Sequence, residues 1–519
     1  MQRLRFVLLC DAAGLERWHL RCLEELEDVA DLVGVVAGES GSARCSRLLQ
    51  RYATRAFGSP APVEGRLERL PPPDEAVDFV LRLGRVPVPA GLAGRGRLGV
   101  WRFEHEAEKN ELPFLAEVYA GTDVTQTALV ATRDGRELVL EHGVFRIDTR
   151  SYAASRSRIE SAIAGWPARA CRRLSVVGLD NGFRERGPRA QAPPLPHGAG
   201  LVGFTARMAT RRAGLAWQRF FRHPQWNVGV LDRPVASLLQ TGVYADEEVD
   251  WYPLEGTAGF LADPFAIERD GRLRILCEYF DYRAGRGRIR ALEYSAGGFS
   301  SRPADILSPS RHVSYPYLLD LPEGLFCVPE TATAGEIALY RSDDEGESWS
   351  KVAVLVPDVP GVDPTVFRHD DRWWLTCTRL GPQEDAELWV WHASDLAGPW
   401  LPHALNPVKT DVRGARPGGR PFVHDGVLYR PAQDCSHAYG GRIALQRVTR
   451  LSPTAFAEEL ATTVEGPRQG RYPIGPHTLT PVGDVVLVDG RRTVFVPAAF
   501  RGFLALWVRA LSRRPPRMR

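Results

Sequence analysis

Carboxylates recur at matched places in the second half of the chain. Asp263 stands in Ala-Asp-Pro, Glu330 in Val-Pro-Glu on the strand after Ser-Tyr-Pro-Tyr, and Asp363 in Val-Asp-Pro. Three carboxylates gathered in one funnel suit glycosidic-bond chemistry. One attacks or activates the attacker, one stays protonated to assist the leaving oxygen, and one holds the sugar. Crowding like charges raises the pKa of one member. Glu330 is the better acid, because it follows the apolar run Leu325-Phe326-Cys327-Val328-Pro329. A single Asp-Pro is an ordinary turn signal; Ala-Asp-Pro, Pro-Glu and Val-Asp-Pro at matching places in three successive repeats favour a site. Glu278 and Asp281 are weaker candidates, read equally well as solvated or structural. Tyr315, Arg416, Arg420, Gln433, Asp434 and His477 are the substrate-binding candidates. Gly418-Gly419 lets backbone approach a ligand, and Arg420 can grip a phosphate or carboxylate as a fork, or else pair with a funnel acid. His477 would close the ring from the last repeat.

The elements that must position these residues are short strands. After Trp226 the pattern turns to period two with turn residues between. Five related phrases recur at intervals of roughly fifty residues: ADPFAIERDGRLRILCEY, SYPYLLDLPEGLFCVPE, VDPTVFRHDDRWWLTCT, GRPFVHDGVLYRPAQ and GPHTLTPVGDVVLVDG. Each is a strand, a turn, and a second strand. Repeated antiparallel sheets close naturally into a propeller, so the spacing predicts an all-β five-bladed propeller over residues 226–499. Inner-strand starts then converge on one axial funnel. Ser342, Asp344, Gly346 and Trp349 match the Asp-box turn of sialidase-type propellers. In it a hydroxyl and a carboxylate tie up turn N–H groups while Trp plugs between strands. His392–Trp400 occupies the equivalent place one blade later.

The first 175 residues alternate instead. Strand runs at Arg5–Cys10, Leu32–Ala37, Val77–Leu83 and Leu98–Phe103, with a helix over Leu15–Leu26, predict an α/β domain with an open, mostly parallel sheet. Residues 176–225 read as a linker followed by a basic amphipathic helix over 203–223. Its apolar residues Phe204, Met208, Leu215, Trp217, Phe220 and Phe221 oppose several Arg. Residues 500–519 form a second basic amphipathic segment. Apolar faces with Trp beside clustered Arg suit an anionic membrane surface, or packing against the protein itself.

The net charge of +3 gives no field for nucleic acid. The eight Cys show no metal-ligand spacing and read as reduced, which favours the cytoplasm, with peripheral contact at the inner membrane face. The short apolar run at the N-terminus fits a first strand better than a signal peptide. No nucleotide-binding motif is present, and neither cofactor nor metal is expected.

The ordered phrases from ADPF through SYPYLL, VDPTVF, RPGGR and LYRPAQDC resemble the N-terminal domain of glucosamine inositolphosphorylceramide transferase, over residues 226–500. The resemblance implies the five-bladed superfamily of arabinanases, levansucrases and invertases. In that family a glycosyltransferase domain follows the module. Here a short tail follows, so the resemblance alone does not carry transfer activity across. Glycosidases of that superfamily place their acid in a later blade than Glu330 occupies. The stretch from Leu98 to Val130 resembles the formyltransferase fold, with Trp101 and Phe103 where that family has Asn and His. Neither can orient a formyl donor and stabilise an oxyanion, so the resemblance implies an inactive relative. Four functions stay open: formation or remodelling of glycosidic bonds in surface glycan or glycolipid synthesis, glycoside hydrolysis, sugar binding beside a partner glycosyltransferase, and sugar N-formyl transfer. The expected partner is a sugar or glycolipid substrate.

Overall fold

The computed structural model describes residues 3–12, 14–39, 75–107, 112–178, 184–185, 199–300 and 303–496. The chain divides into two compact units, Met1–Met208 and Ala209–Arg519.

In the first unit, seven strands form one sheet: β1 (Leu4–Asp11), β2 (Ala30–Gly38), β3 (Phe79–Leu83), β4 (Val100–Phe103), β5 (Val124–Arg133), β6 (Arg136–Arg146) and β7 (Arg184–Glu185), in the order β2-β1-β3-β4-β5-β6-β7. The first four are parallel. Phe6 through Cys10 are all buried, which is why their run carries no polar alternation. The helix Arg17–Glu27 buries Trp18, Cys22 and Leu26, as its spacing requires.

The sheet is mixed rather than mostly parallel. β5 and β6 form an antiparallel hairpin and β7 joins β6 antiparallel. The hairpin turns at Asp134-Gly135, both at positive φ (49° and 73°), the conformation a tight two-residue turn needs. Trp101 and Phe103 are fully buried, and Trp101 stacks on Phe79 at 3.9 Å. The helix Ala199–Phe221 covers the predicted basic helix. Phe204 and Met208 are not free for a membrane: both are buried in the core of the first unit. Trp217 is 55% exposed and packs on Phe221 at 4.2 Å. The predicted tail segment at 500–519 lies outside the described residues.

The second unit is a five-bladed propeller. Blade 1 runs Gly259–Arg269, Arg272–Asp281, Arg286–Ser295 and Gly298–Phe299, with Ala304–Leu307 also paired to its third strand. Blade 2 is Ser314–Leu321, Gly324–Glu330, Ile337–Ser342 and Ser350–Val356. Blade 3 is Gly361–His369, Arg372–Arg379, Glu387–Ala393 and Leu401–Pro402, with Lys409–Thr410 added. Blade 4 is Phe422–His424, Val427–Gln433, Ile443–Ser452 and Ala455–Val464.

Blade 5 is composite. Leu479–Val482 and Val485–Phe495 supply its inner strands, and Arg222–Leu231 and Val249–Trp251 supply its outer ones. Joining both ends of the propeller's chain in one sheet leaves no open gap between first and last blades.

The Asp-box turn forms as its residues require. Ser342 Oγ accepts from Gly346 N–H at 2.7 Å, Asp344 accepts from Ser348 N–H at 2.9 Å, and Trp349 Nε1 donates to Gly346 O at 3.2 Å. The turn one blade later repeats it in part: Asp395 accepts from Ala397 N–H at 2.8 Å, and Trp400 Nε1 donates to Leu396 O at 3.0 Å. The seven cysteines among the described residues are buried and free.

Candidate functional site

The inner strands of blades 1, 2 and 3 break at the same register. Pairing is interrupted between Ala262 and Phe265, between Ser314 and Tyr317, and between Val362 and Thr365. The cause is in the sequence. Pro264, Pro316 and Pro364 have no N–H to give the ladder, and each constrains the residue before it. Those preceding residues, Asp263, Tyr315 and Asp363, take φ of 55°, 45° and 52°. Side-chain-bearing residues adopt that region at a cost, and such strain gathers at functional sites.

The N–H groups released from the ladder are captured by carboxylates. Asp263 N–H donates to Asp489 Oδ2 at 3.2 Å, Tyr315 N–H to Asp263 Oδ2 at 3.2 Å, and Asp363 N–H to Glu330 Oε2 at 3.1 Å. A relay of acids therefore runs from blade 5 through blades 1 and 2 to blade 3.

Asp263 is buried. Thr478 donates its hydroxyl to Oδ1 at 3.0 Å, and His477 Nε2 lies 3.1 Å from the same oxygen. Burial alone would raise its pKa, but His477, Thr478 and the Tyr315 N–H outweigh that and hold Asp263 below the ordinary carboxylate range. His477 sits between two acids, with Nδ1 2.7 Å from Asp489. Burial would favour neutral imidazole, yet Asp489 and Asp263 push His477 up to about 10.

Glu330 is the opposite case. Burial, then the Asp363 charge, pushes it up to about 8, against the pull of Arg416. Asp363 is raised by burial and opposed by Arg416, whose Nε meets Oδ2 at 2.6 Å; Gln433 donates to the same oxygen at 2.7 Å.

The remaining binding candidates divide. Arg416 also reaches Asp385 at 3.1 Å and lies 4.8 Å from the ring of Tyr439. Arg420 donates to the carbonyls of Ala266 (3.2 Å) and Leu318 (3.1 Å), so it ties blade 4 to the inner strands of blades 1 and 2. The Tyr315 hydroxyl is fully buried, 2.9 Å from Thr365 Oγ1 and accepting from Gly419 N–H at 2.8 Å. Asp434 pairs with Arg442 at 2.9 Å and caps Ser436 N–H. Asp281 caps the turn at Arg283.

Glu278 is the acid that the sequence reading underweighted. It is buried, and its pKa is pushed well above the ordinary value by burial, then by Asp263, Glu330 and Asp363. A signal for it exists. Glu278 follows Asp263 at the same spacing as Glu330 follows Tyr315 and Thr378 follows Asp363. The register agrees, with Ala262 opposite Glu278, Ser314 opposite Glu330 and Val362 opposite Thr378. Asp489 was also missed. Its mark is a lone acid inside the apolar strand Val486-Leu487-Val488, where a buried charge must have a partner.

Asp263, His477 and Asp489 also have ligand atoms all within 4.8 Å of one another, a spacing that could hold a metal ion. A cation there would replace the imidazolium proton as the counter-charge between the acids.

Residues 251–475 match the sequence profile of a family described as "Glucosamine inositolphosphorylceramide transferase 1, N-terminal". The chain is 33% identical over 221 residues to glucosamine inositolphosphorylceramide transferase 1 of Arabidopsis thaliana, covering 41% of this chain and 29% of that protein. To its counterpart from Oryza sativa subsp. japonica it is 31% identical over 257 residues, covering 46% and 34%. The chain thus spans about a third of the length of these curated relatives. Among solved structures, a family 117 glycoside hydrolase of Zobellia galactanivorans aligns at TM-score 0.35 and 13% identity, covering 53% of this chain and 91% of that one. The catalytic domain of a Coprinopsis cinerea alpha-L-arabinofuranosidase aligns at TM-score 0.35 and 10% identity, covering 52% and 98%. Through residues 251–475, the propeller of this chain is thus similar to the N-terminal domain described for glucosamine inositolphosphorylceramide transferases.

Proposed function

We propose that this protein acts in glycolipid synthesis, and that its propeller forms or remodels a glycosidic bond with the funnel acids. One arrangement carries the chemistry: Asp263 is held by His477, Thr478 and the Tyr315 N–H, which favour its charge, while Glu330 is crowded by Asp363, which disfavours its own. Asp263 is kept ionised beside His477, while Glu330 keeps its proton up to about pH 8. That is the arrangement glycosyl chemistry uses. Glu330 gives its proton to the leaving glycosidic oxygen as that bond breaks. Asp263 accepts the proton of the incoming hydroxyl, or attacks the sugar carbon itself. Asp363, fixed by Arg416 and Gln433, holds sugar hydroxyls. The relatives' name joins glucosamine with inositolphosphorylceramide, which supplies the sugar and lipid classes to try first.

A second reading is favoured by the full set of protein partners on Asp263 and Asp363. It makes the propeller a sugar-binding module for a separate transferase. One assay separates the two. The full chain is incubated with nucleotide-activated glucosamine and inositolphosphorylceramide, and in parallel with aryl glycosides. The catalytic reading expects turnover that Asp263→Asn and Glu330→Gln each lower by about a hundredfold or more, with circular dichroism unchanged. Sugar binding without turnover leaves the binding module. Equal activity in both variants and wild type removes the assigned roles.

For the first unit we propose a formyltransferase relative without that activity, supported by Trp101 and Phe103 being spent in the core. Formyl transfer from a folate donor to an amino sugar, lost when either residue is replaced by Ala, would contradict it.

A further inference from the structure

Arg491 lies on the second strand of blade 5, two residues beyond Asp489. Side chains two apart on a strand share a face, and the pairing with Arg222–Leu231 runs through this stretch without a shift. Asp489 is fully buried, held to His477 and Asp263. Arg491 stands one pleat farther along the same face and is only partly buried. Its backbone is fixed by a reciprocal pair of bonds to Ile474, donating to Ile474 O at 2.6 Å and accepting from Ile474 N–H at 3.1 Å.

Directly opposite Arg491 in the ladder is Trp226. The guanidinium carbon lies 5.2 Å from that ring's centroid. The same indole is 4.1 Å from the His477 ring and 6.4 Å from Tyr439. Arg491 is thereby anchored one aromatic ring away from the Asp263–His477 pair. The other arginines around it have matching acceptors. Arg416 has Asp363 and Asp385, Arg442 has Asp434 and Glu465, and Arg492 has the Gln225 amide oxygen. Arg491 pairs with no carboxylate among the described residues. A desolvated cation without a counter-charge is unfavourable. A planar fork resting on an indole face is also pre-ordered to receive two oxygens of one anion.

We propose that Arg491, held over Trp226, reads an anionic group, phosphate or carboxylate, carried by the sugar substrate of the funnel. The proposal rests on the funnel being a sugar site. It adds a residue that discriminates charged from neutral ligands and that takes no part in bond breaking.

The test is calorimetric titration of the full chain with inositol 1-phosphate, glucuronate, myo-inositol and glucose. Wild type, Arg491→Met, Arg491→Lys and Asp263→Asn are compared, with thermal melting as the folding check. Wild type is expected to bind at least one charged ligand about tenfold more tightly than its neutral counterpart, as a charge-assisted fork contact should give. Whether inositol 1-phosphate or glucuronate shows the larger advantage identifies phosphate or carboxylate as the group read. Arg491→Met should erase the advantage and leave neutral binding in place. Arg491→Lys should keep part of it, and Asp263→Asn should weaken charged and neutral ligands alike. Equal affinity of wild type for charged and neutral ligands overturns the role of Arg491, as does an advantage that survives in Arg491→Met. Binding of none of the four ligands overturns the sugar-site reading itself, and the Arg491 proposal with it.

Discussion

Asp263, Tyr315 and Asp363 each hold a backbone angle that most residues avoid, and each stands directly before a proline that cannot join the ladder. The strain has a visible return, since it turns three N–H groups from the ladder onto carboxylates. The protonation of Glu330 follows from the same crowding. Its folded pKa, about 8, lies above its ordinary 4.5. The stability it contributes is therefore fully present below pH 4.5 and is lost as the pH rises through about 8. Glu330→Gln cannot ionise and escapes that loss. Its melting temperature should match wild type near pH 4.5 and exceed it by a few degrees above pH 8. A variant that melts below wild type at both pH values would show that Glu330 is not kept protonated by the fold. The acids next to proline were legible in the sequence because Asp-Pro recurs visibly. Glu278 was harder, because a lone Glu at the end of an apolar strand looks like a solvated edge until the spacing of three blades is compared. His477 was legible only as a candidate, since its partner Asp489 comes from the adjoining strand of its blade and nothing local marks the pair.

At the scale of elements, each blade is a strand, a turn and a strand, and turn chemistry made the repeats readable. Asp270-Gly271 and Asp425-Gly426 take positive φ where the phrases predict tight turns. The Asp134-Gly135 hairpin carried the same signal. It marks where the sheet turns antiparallel after its four parallel strands. Residue type alone suits Arg420 to gripping a phosphate, but its guanidinium meets two carbonyls of neighbouring inner strands. Only the closed ring brings those carbonyls near. Gly419 is the element-level weak point. Its φ is 129°, and a Cβ there would run into the carbonyl oxygen of Leu479 on the neighbouring blade. Gly419→Ala should cost on the order of 3 kcal/mol, because backbone must move at a blade junction. Gly426→Ala also has positive φ, but nothing lies within 4 Å of its Cβ. It should cost only about 1 kcal/mol. Denaturant titration of both checks this, and equal losses would contradict the close packing of Gly419.

At the scale of the whole molecule, the propeller was legible because its blades repeat, whereas its closure was not. Arg222–Leu231 was read in part as the end of a helix, yet it is the third strand of blade 5, paired with Val485–Phe495 from the far end of the domain. No local pattern shows that pairing, which exists only once the ring closes. The closed ring is also what brings acids from blades 1, 2, 3 and 5 into one field and makes their protonation states diverge. The central claim is that Glu330 works as a protonated acid opposite an ionised Asp263. It is tested most directly by the pH dependence of glycosyl turnover in wild type and Glu330→Gln. Turnover in wild type should fall as the pH rises through about 8, because the acid loses its proton there. In Glu330→Gln, turnover should be lower by about a hundredfold or more and the alkaline fall should vanish. A variant that keeps wild-type turnover with the same alkaline fall would contradict the account.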